Sequence, residues 1–221
     1  MTLSPELEKA LVYLENWNHD ADTSSIAQTI AVTWMAELSS DLFLPEFNNG
    51  TEEQKTQLVK KYIAISNTSI SQKLMYLRHA LNNLTRTYGS WEIPWGQINR
   101  YQRVNPGDSF NDSLTSIAVA QTSSKFGQLP AFESKIMSTS IKPSTKKRYG
   151  YSGNSFVAAV SFGKRLEAKT IITGGQSRWA NNPHFTDQAQ GYINGNFKTI
   201  HFYKEDVLAH KVISYKPGLE R

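Results

Sequence analysis

The stretch that decides the fold of this chain is GNSFVAAVSFG, residues 153–163. Its centre, Phe156–Phe162, is apolar at nearly every position, which is typical of a β-strand covered on both faces. Gly163 ends this strand, and residues 166–173 have the composition of a partner, so a hairpin is predicted through residues 163–165. A two-stranded hairpin is marginally stable at best. We therefore expect both strands to join a larger sheet.

The first 89 residues have helical periodicity. Ser4 and Pro5 form an N-terminal cap followed by leucines at helical spacing, and a second helix is predicted from Ser24 or Ser25. The stretch TEEQ, residues 51–54, is a capping box that predicts a third helix over 52–65. A fourth is predicted over 71–88, with Gly89 as its C-terminal cap.

From residue 90 onward the helical period disappears, and glycine, proline, asparagine and aromatic residues are mixed. Irregular structure with short strands is predicted, one of them near 117–120. A helix is predicted near 187–193, an extended piece at 201–203 and a helical turn at 205–209. The fold class is therefore α+β, with a helical region (1–89) followed by an irregular and β region (90–221). Too few strands are evident to complete a sheet, which indicates that another polypeptide supplies part of it.

Composition excludes several classes of function. The 221 residues include five Trp, ten Tyr and ten Phe, enough aromatic area for a folded core, and no cysteine, so disulfides and cysteine-based sites are absent. The net charge of +5 is dispersed, and its one cluster, in residues 142–148, favours a solvated loop over a polyanion site. We expect no nucleic-acid partner, no membrane span and no signal peptide in this chain.

Several motifs, taken in order, resemble one known family. They are WEIPWGQINR at 91–100, the stretch at 153–163, TGGQS at 173–177 and PHFTDQ at 183–188, preceded by LVYLENWN at 11–18. Each motif alone is weak, and their common order is what carries the resemblance. Together they are similar to the C-terminal part of the β subunit in the penicillin acylase (penicillin amidase) family.

The resemblance implies an N-terminal-nucleophile hydrolase with a four-layer αββα sandwich. Such enzymes cleave themselves from a precursor into two chains. The β-chain's first serine attacks an acyl group, its own α-amino group serves as base, and an asparagine helps to stabilise the oxyanion. The implied substrates are small acylated amides, such as a β-lactam or an N-acyl homoserine lactone. A periplasmic or secreted location is implied, as is calcium for the full-length enzyme; no cofactor is expected in this chain.

The chain departs from the family pattern at the nucleophile, which follows a glycine and precedes an asparagine. No Gly-Ser-Asn occurs here, and Ser66-Asn67 follows an isoleucine at a predicted helix end. Asn111 and Asp112 stand in the wrong order for the oxyanion motif, so an Asx-turn is favoured. Removal of Met1 would expose Thr2 as an N-terminal nucleophile. Because Thr2 precedes a helix cap and not a strand, it is interpreted as part of a flexible terminus. We therefore expect no catalytic residue here, no activity alone, and partners in the α chain and the N-terminal part of the β chain.

Few residues remain as candidates for a site. Asn154 and Ser155 lead into the strand that the resemblance places near the active centre, where they could orient catalytic groups or serve only conformation. His184 and Asp187 can hydrogen-bond, and a role in closing the turn before a helix is favoured. No metal site is predicted, and Trp17, Trp91 and Trp95 are interpreted as packing rather than as an acyl pocket. The alternative function is a non-catalytic ligand- or partner-binding module derived from the same fold.

Overall fold

A computed structural model describes residues 3–41, 60, 63–122, 132–137 and 145–216. It has a mixed α+β fold with two small sheets. The helices are α1 (Pro5–Glu15), α2 (Ile26–Asp41), α3 (Ile70–Tyr88), α4 (Trp95–Ile98), α5 (Ala189–Asn194) and α6 (Lys204–Ala209). The strands are β1 (Asn99–Tyr101), β2 (Ile117–Ala118), β3 (Phe132–Ile136), β4 (Arg148–Gly153), β5 (Phe156–Phe162), β6 (Leu166–Ile172) and β7 (Lys198–Ile200).

The helix ends follow the capping signals in the sequence. Ser4 Oγ accepts a hydrogen bond from the Leu7 amide at 3.4 Å, with Pro5 in the first turn of α1. Helix α3 begins at a capping box formed by Ser69 and Gln72 and ends at Gly89. The φ of Gly89 is 87°, a left-handed conformation that glycine adopts readily because it has no Cβ. Most of the predicted third helix lies outside the described residues, of which 63–67 are helical.

Helices α1, α2 and α3 pack around one hydrophobic core. Their buried side chains recur every three or four residues, as on one face of a helix, and include Leu7, Ile30, Leu77 and Leu81. Each such side chain contributes about 1.5–3 kcal/mol when it leaves water. Trp91 and Trp95 extend the core, as do partly buried residues that include Trp34. Trp91 and Trp95 are therefore packing residues of the helical layer, as the sequence indicated.

The first sheet joins segments that are far apart in sequence. Its strand order is β2-β1-β4-β3, and β1 runs parallel to β4, with Asn99 opposite Arg148. At the centre of the β3–β4 ladder the ring of Phe132 covers Gly150. A Cβ on Gly150 would lie 2.3 Å from that ring, so only glycine fits beneath it. The sequence predicted only one of these four strands, because the other three lack alternating apolar residues.

The second sheet is antiparallel, in the order β5-β6-β7. The predicted hairpin is present with unbroken register, from Phe156 opposite Ile172 to Phe162 opposite Leu166. Most residues of β5 are exposed in this chain by itself, so its burial on both faces stays a prediction that depends on another polypeptide. Strand β5 lies at the sheet's edge, and the second core forms instead around Ile171 of β6, with Val119, Phe132, Tyr192 and Ile193.

Other sequence-based boundaries shift by a few residues. The extended piece predicted at 201–203 occurs three residues earlier as β7, because pairing with Ala168 to Thr170 of β6 selects residues 198–200. The helix predicted at 187–193 is α5, which ends at Gly195 in the left-handed conformation. A turn of helix, α4, occupies residues 95–98, a region predicted to be irregular. Tertiary contacts decide where β7 and α4 lie, because neither element has a strong signal in its local sequence.

Candidate functional site

The candidate site lies where the turn after β6 meets the turn before α5. The Gln188 amide donates to the carbonyl of Gly174 at 2.8 Å, and the Ser177 amide donates to the carbonyl of His184 at 3.0 Å. Two motifs that are separated in sequence, residues 173–177 and 183–188, are thereby joined backbone to backbone. Contacts of this kind fix both loops against one end of the second sheet.

Two consecutive glycines permit this close approach. A Cβ on Gly175 would lie 2.0 Å from the carbonyl oxygen of His184 and 2.6 Å from Oδ1 of Asp187. A Cβ on Gly174 would lie 2.7 Å from Nη1 of Arg103. Real Cβ atoms essentially never approach other heavy atoms within 3.0 Å, and the neighbour of Gly175 is backbone, so Gly175 is closed to any side chain. The neighbour of Gly174 is the end of a flexible arginine side chain, which can move aside. Gly175 is therefore required by packing, apart from any conformational freedom.

Arg103 clamps the two turns together. Its Nη1 donates to the carbonyl of Gly175 at 2.9 Å and to the carbonyl of Phe185. The guanidinium carbon also lies 4.4 Å from the centroid of the Phe185 ring, within the range of a cation–π contact. Sequence reasoning missed Arg103, because a single arginine in an irregular loop has no spacing signal.

The His184–Asp187 pair closes the turn before α5. Nδ1 of His184 lies 2.8 Å from Oδ2 of Asp187, and the side chains are 68% and 38% exposed. Asn182 caps the same turn by accepting from the His184 amide at 2.8 Å. In the part of the chain that the structure describes, the hydrogen bond between the two side chains joins them to each other and not to a serine or threonine hydroxyl. The pair thus has the structural role that the sequence favoured.

Two tyrosines lie on the buried side of this site. Tyr101 Oη would sit 3.1 Å from a Cβ on Gly174, and burial raises its pKa despite the nearby charge of Arg103. Burial also raises the pKa of Tyr192, whose hydroxyl has no hydrogen-bond partner among the described residues. Both phenols are consequently neutral at physiological pH. They can donate or accept hydrogen bonds but cannot act as bases there.

Asn154 and Ser155 form the two-residue link between β4 and β5, and thus between the two sheets. Asn154 is half-buried, whereas Ser155 is exposed. This link turns the chain from one sheet into the other, which is a conformational role. The orienting role suggested for the two residues stays a prediction, since it depends on catalytic groups that the resemblance places on another segment.

The polar residues of the 91–100 motif bind backbone. Asn99 Nδ2 donates to the carbonyls of Val119 and Gln121 at 2.8 and 2.9 Å. Arg100 donates to the carbonyl of Gly96 at 2.7 Å and to the hydroxyl and carbonyl of Ser116. These bonds hold β1 to β2 and satisfy carbonyls that strand pairing leaves open. The motif is therefore a framework for the first sheet.

The segment around Asp112 is structural as well. Asn111 Oδ1 accepts from the Ser113 amide at 2.9 Å, which is the predicted Asx-turn. Asp112 accepts from the amides of Lys146 and Lys147 at 2.6 and 3.2 Å and from the Tyr149 hydroxyl at 3.1 Å. Burial, followed by the bond to Asp112, raises the pKa of Tyr149 to about 12. The carboxylate thereby anchors the start of β4.

Metal ligands do not converge in the described ranges. Nowhere in residues 3–41, 60, 63–122, 132–137 and 145–216 do three or more His, Cys, Asp or Glu side chains form a group that could hold an ion. His201 and His210 stack face to face, with ring centroids 3.9 Å apart and planes inclined by 15°. Parallel rings cannot both direct an in-plane nitrogen at one ion. The described residues thus form no such group by themselves, and the calcium that the resemblance implies for the full-length enzyme stays a prediction.

Comparison with known proteins gives the family. The sequence model of the penicillin amidase family matches residues 2–209, nearly the whole chain. The chain belongs to the penicillin amidase family. The loops joined at Gly174–Gly175 and the framework motif at 91–100 are thus parts of a penicillin amidase fold, and the family suggested by the sequence is confirmed. Of the helices that the structure describes, none has the length and apolar character needed to cross a bilayer.

A solved structure is also similar to this penicillin amidase chain. It is the thermostable penicillin G acylase from Alcaligenes faecalis, with 13% sequence identity and a TM-score of 0.45. The match covers 100% of this chain and 44% of that chain, so this chain spans less than half of the acylase's length. A comparison with curated proteins finds no match.

Proposed function

We propose that this chain is the C-terminal portion of the β subunit of a penicillin-acylase-like amidohydrolase. The complete enzyme hydrolyses the acyl-amide bond of a β-lactam, an N-acyl homoserine lactone or a related small amide. The observation that carries the proposal is the penicillin amidase match over residues 2–209 in a sequence without Gly-Ser-Asn. The nucleophilic serine and the oxyanion asparagine then belong to other segments, and this chain alone is inactive.

The partners in this proposal are the α chain and the N-terminal part of the β chain. Support comes from the apolar surface near the second sheet and the end of the chain. Phe162 is 85% exposed and Val212 97%, and further exposed apolar side chains nearby in sequence are Phe156, Val160, Phe202, Ile213 and Tyr215. Three of these side chains, Phe156, Val160 and Phe162, lie on one face of β5. We assign that face to contact with the remaining layers of an αββα sandwich.

Within the assembled enzyme this chain would contribute framework. The clamp of Arg103 on the two turns, and the bonds of Asn99 and Arg100 to backbone, hold loops at one end of the sheets. Catalysis depends on groups held in a fixed geometry. The serine, its α-amino base and the oxyanion donors are proposed to lie on the partner segments. A periplasmic or secreted location is part of the same proposal.

An activity assay tests the proposal. The chain alone should release no 4-nitroaniline from an N-acyl-4-nitroanilide, whereas co-expression with the segments encoded directly upstream should give turnover. A serine-to-alanine change at the upstream Gly-Ser-Asn should abolish that turnover without preventing assembly. Turnover by the isolated chain, or an upstream region that encodes no Gly-Ser-Asn, would contradict the proposal.

One observation favours the alternative, a non-catalytic binding module. A groove of about 570 Å³ runs between α1 and the start of α2, lined by residues that include Val12, Tyr13, Trp17 and Ile26. Pockets with apolar and aromatic linings of this size suit small ligands. Trp17 fluorescence in wild type and Trp17→Phe separates the two functions. Saturable quenching by a small acylated amide, without hydrolysis in the assembled enzyme, supports the module.

A further inference from the structure

Strand β5 has an open edge in the part of the chain that the structure describes. It pairs only with β6, and the sheet order places it at one end. Side chains on one of its faces are exposed, namely Phe156 at 59%, Val160 at 45% and Phe162 at 85%. The outer row of amide and carbonyl groups is therefore accessible to another strand, with apolar side chains beside it.

The usual protections of an edge strand are missing from β5. Its seven residues include no charged residue and no proline, and its register with β6 runs without a bulge. Proteins commonly block an edge with lysine, proline or a bulge, because an open regular edge is a template for pairing. Strand β5 is thus chemically suited to receive an uncharged, extended strand.

The two ends of β5 are symmetric about Ala159, whereas the residues between them are uncharged but differ in type. Phe156 and Phe162 are equidistant from it, and Ala158 and Val160 flank it on the same face. We propose that a second copy of this chain pairs with β5 in antiparallel orientation, with a two-fold axis at Ala159. In that register the two phenylalanines of each copy face those of the other, and each Ala158 faces a Val160.

The charges around β5 agree with this arrangement. Lys164 and Arg165 follow the strand at its hairpin end. Antiparallel pairing about Ala159 places the hairpin ends of the two copies at opposite ends of the interface, where Lys164 of one copy is opposite Asn154 of the other. No like charges meet across the pair. Because the same edge is used by both copies, the contact closes on itself as a dimer.

The product is a six-stranded sheet with the order β7-β6-β5 followed by the same strands of the second copy in reverse. This inference depends on β5 alone and does not rest on the proposed acylase function. Acylase segments that add a strand to this edge would compete with the second copy. The dimer is therefore the state of the chain when those segments are not bound.

Sedimentation equilibrium of the purified chain tests the pairing. We expect a dimer with a Kd of roughly 1–100 μM, at the weak end because the interface is small. Ala159→Lys places two lysines directly opposite each other and should raise the Kd by about tenfold or more. Ala159→Glu should do the same. An equimolar mixture of the two variants should restore the dimer, because each lysine then faces a glutamate.

Ala180→Lys is the matched control. Ala180 is an exposed turn residue outside the second sheet, so the same change there should leave the Kd unaltered. Thermal melts of each variant report whether the fold is retained, and recovery in the mixture shows this independently. A chain that stays monomeric at about 100 μM overturns the proposal. So does a dimer that ignores Ala159→Lys, or a loss of dimer that the mixture does not repair.

Discussion

Replacing Gly175 with alanine tests whether the junction of the two turns holds this end of the protein together. The new Cβ would lie 2.0 Å from the His184 carbonyl oxygen, against 3.4 Å or more for an ordinary contact. The obstacle is backbone, which cannot rotate away like a side-chain end. The turns must therefore separate, or the chain must shift by more than an ångström.

The magnitude follows from what the shift would disturb. A shift of the 173–177 turn would disturb three of its hydrogen bonds: Gln188 to Gly174, Ser177 to His184, and Arg103 to Gly175. At about 1 kcal/mol net for each bond, plus 1–3 kcal/mol for overpacking, the expected loss is about 4–6 kcal/mol. A chain of this length should then lose roughly 8–24 °C in Tm, or fail to accumulate in folded form.

The assay is denaturant unfolding followed by tryptophan fluorescence and circular dichroism. Gly191→Ala, within α5, is the matched control. Its new Cβ would lie 3.6 Å from the carbonyl oxygen of Asn196, which is an ordinary contact. In that helix alanine should stabilise by roughly 0.4–1 kcal/mol. If Gly175→Ala unfolds within about 1 kcal/mol of wild type, the reasoning about the junction is wrong.

Other predictions concern the clamp and the anchor of β4. Arg103→Lys should cost roughly 1–2 kcal/mol in unfolding free energy, because an ammonium cannot both stack on Phe185 and donate as a planar fork; an unchanged midpoint would exclude the clamp. Asp112→Ala should cost roughly 2–3 kcal/mol, since two amides and a hydroxyl lose their acceptor, and a loss no larger than for Asp108→Ala would contradict this. The pKa of Tyr149, raised from 10.0 to about 12, makes stability depend on alkaline pH. The neutral phenol is the form favoured by folding, so its contribution of roughly 3 kcal/mol is complete below pH 10 and lost as pH rises to about 12. Tyr149→Phe should remove this loss, as followed by unfolding at pH 9 to 12, and an identical pH profile in the variant would refute it.

The elements that sequence patterns predicted well have strong local signals. Helix α1 begins at Ser4-Pro5, and Gly89 adopts the left-handed conformation at the end of α3. The hairpin of β5 and β6 has boundaries within a residue of those predicted. In each case a cap, a period or a turn residue acts over a few neighbours, so the sequence alone carries the information.

The candidate site was predicted only in part. The hydrogen bond of His184 with Asp187 needs no more than a separation of three residues, and it was expected. Arg103 was not, because its partners Gly175 and Phe185 lie more than 70 residues away. Nothing in the neighbourhood of a lone arginine encodes such a partner. The necessity of Gly175 likewise follows from neighbours that the fold brings to it.

By itself, the amino-acid sequence determined the helical first half, the hairpin and membership of the penicillin amidase family, since these depend on local chemistry and on ordered motifs. Tertiary structure alone decided the parallel pairing of β1 with β4, the clamp by Arg103 and the exposure of β5. The physical reason is that an apolar strand records only a preference for burial. Which surface covers it depends on where the chain, or its partner, brings other strands.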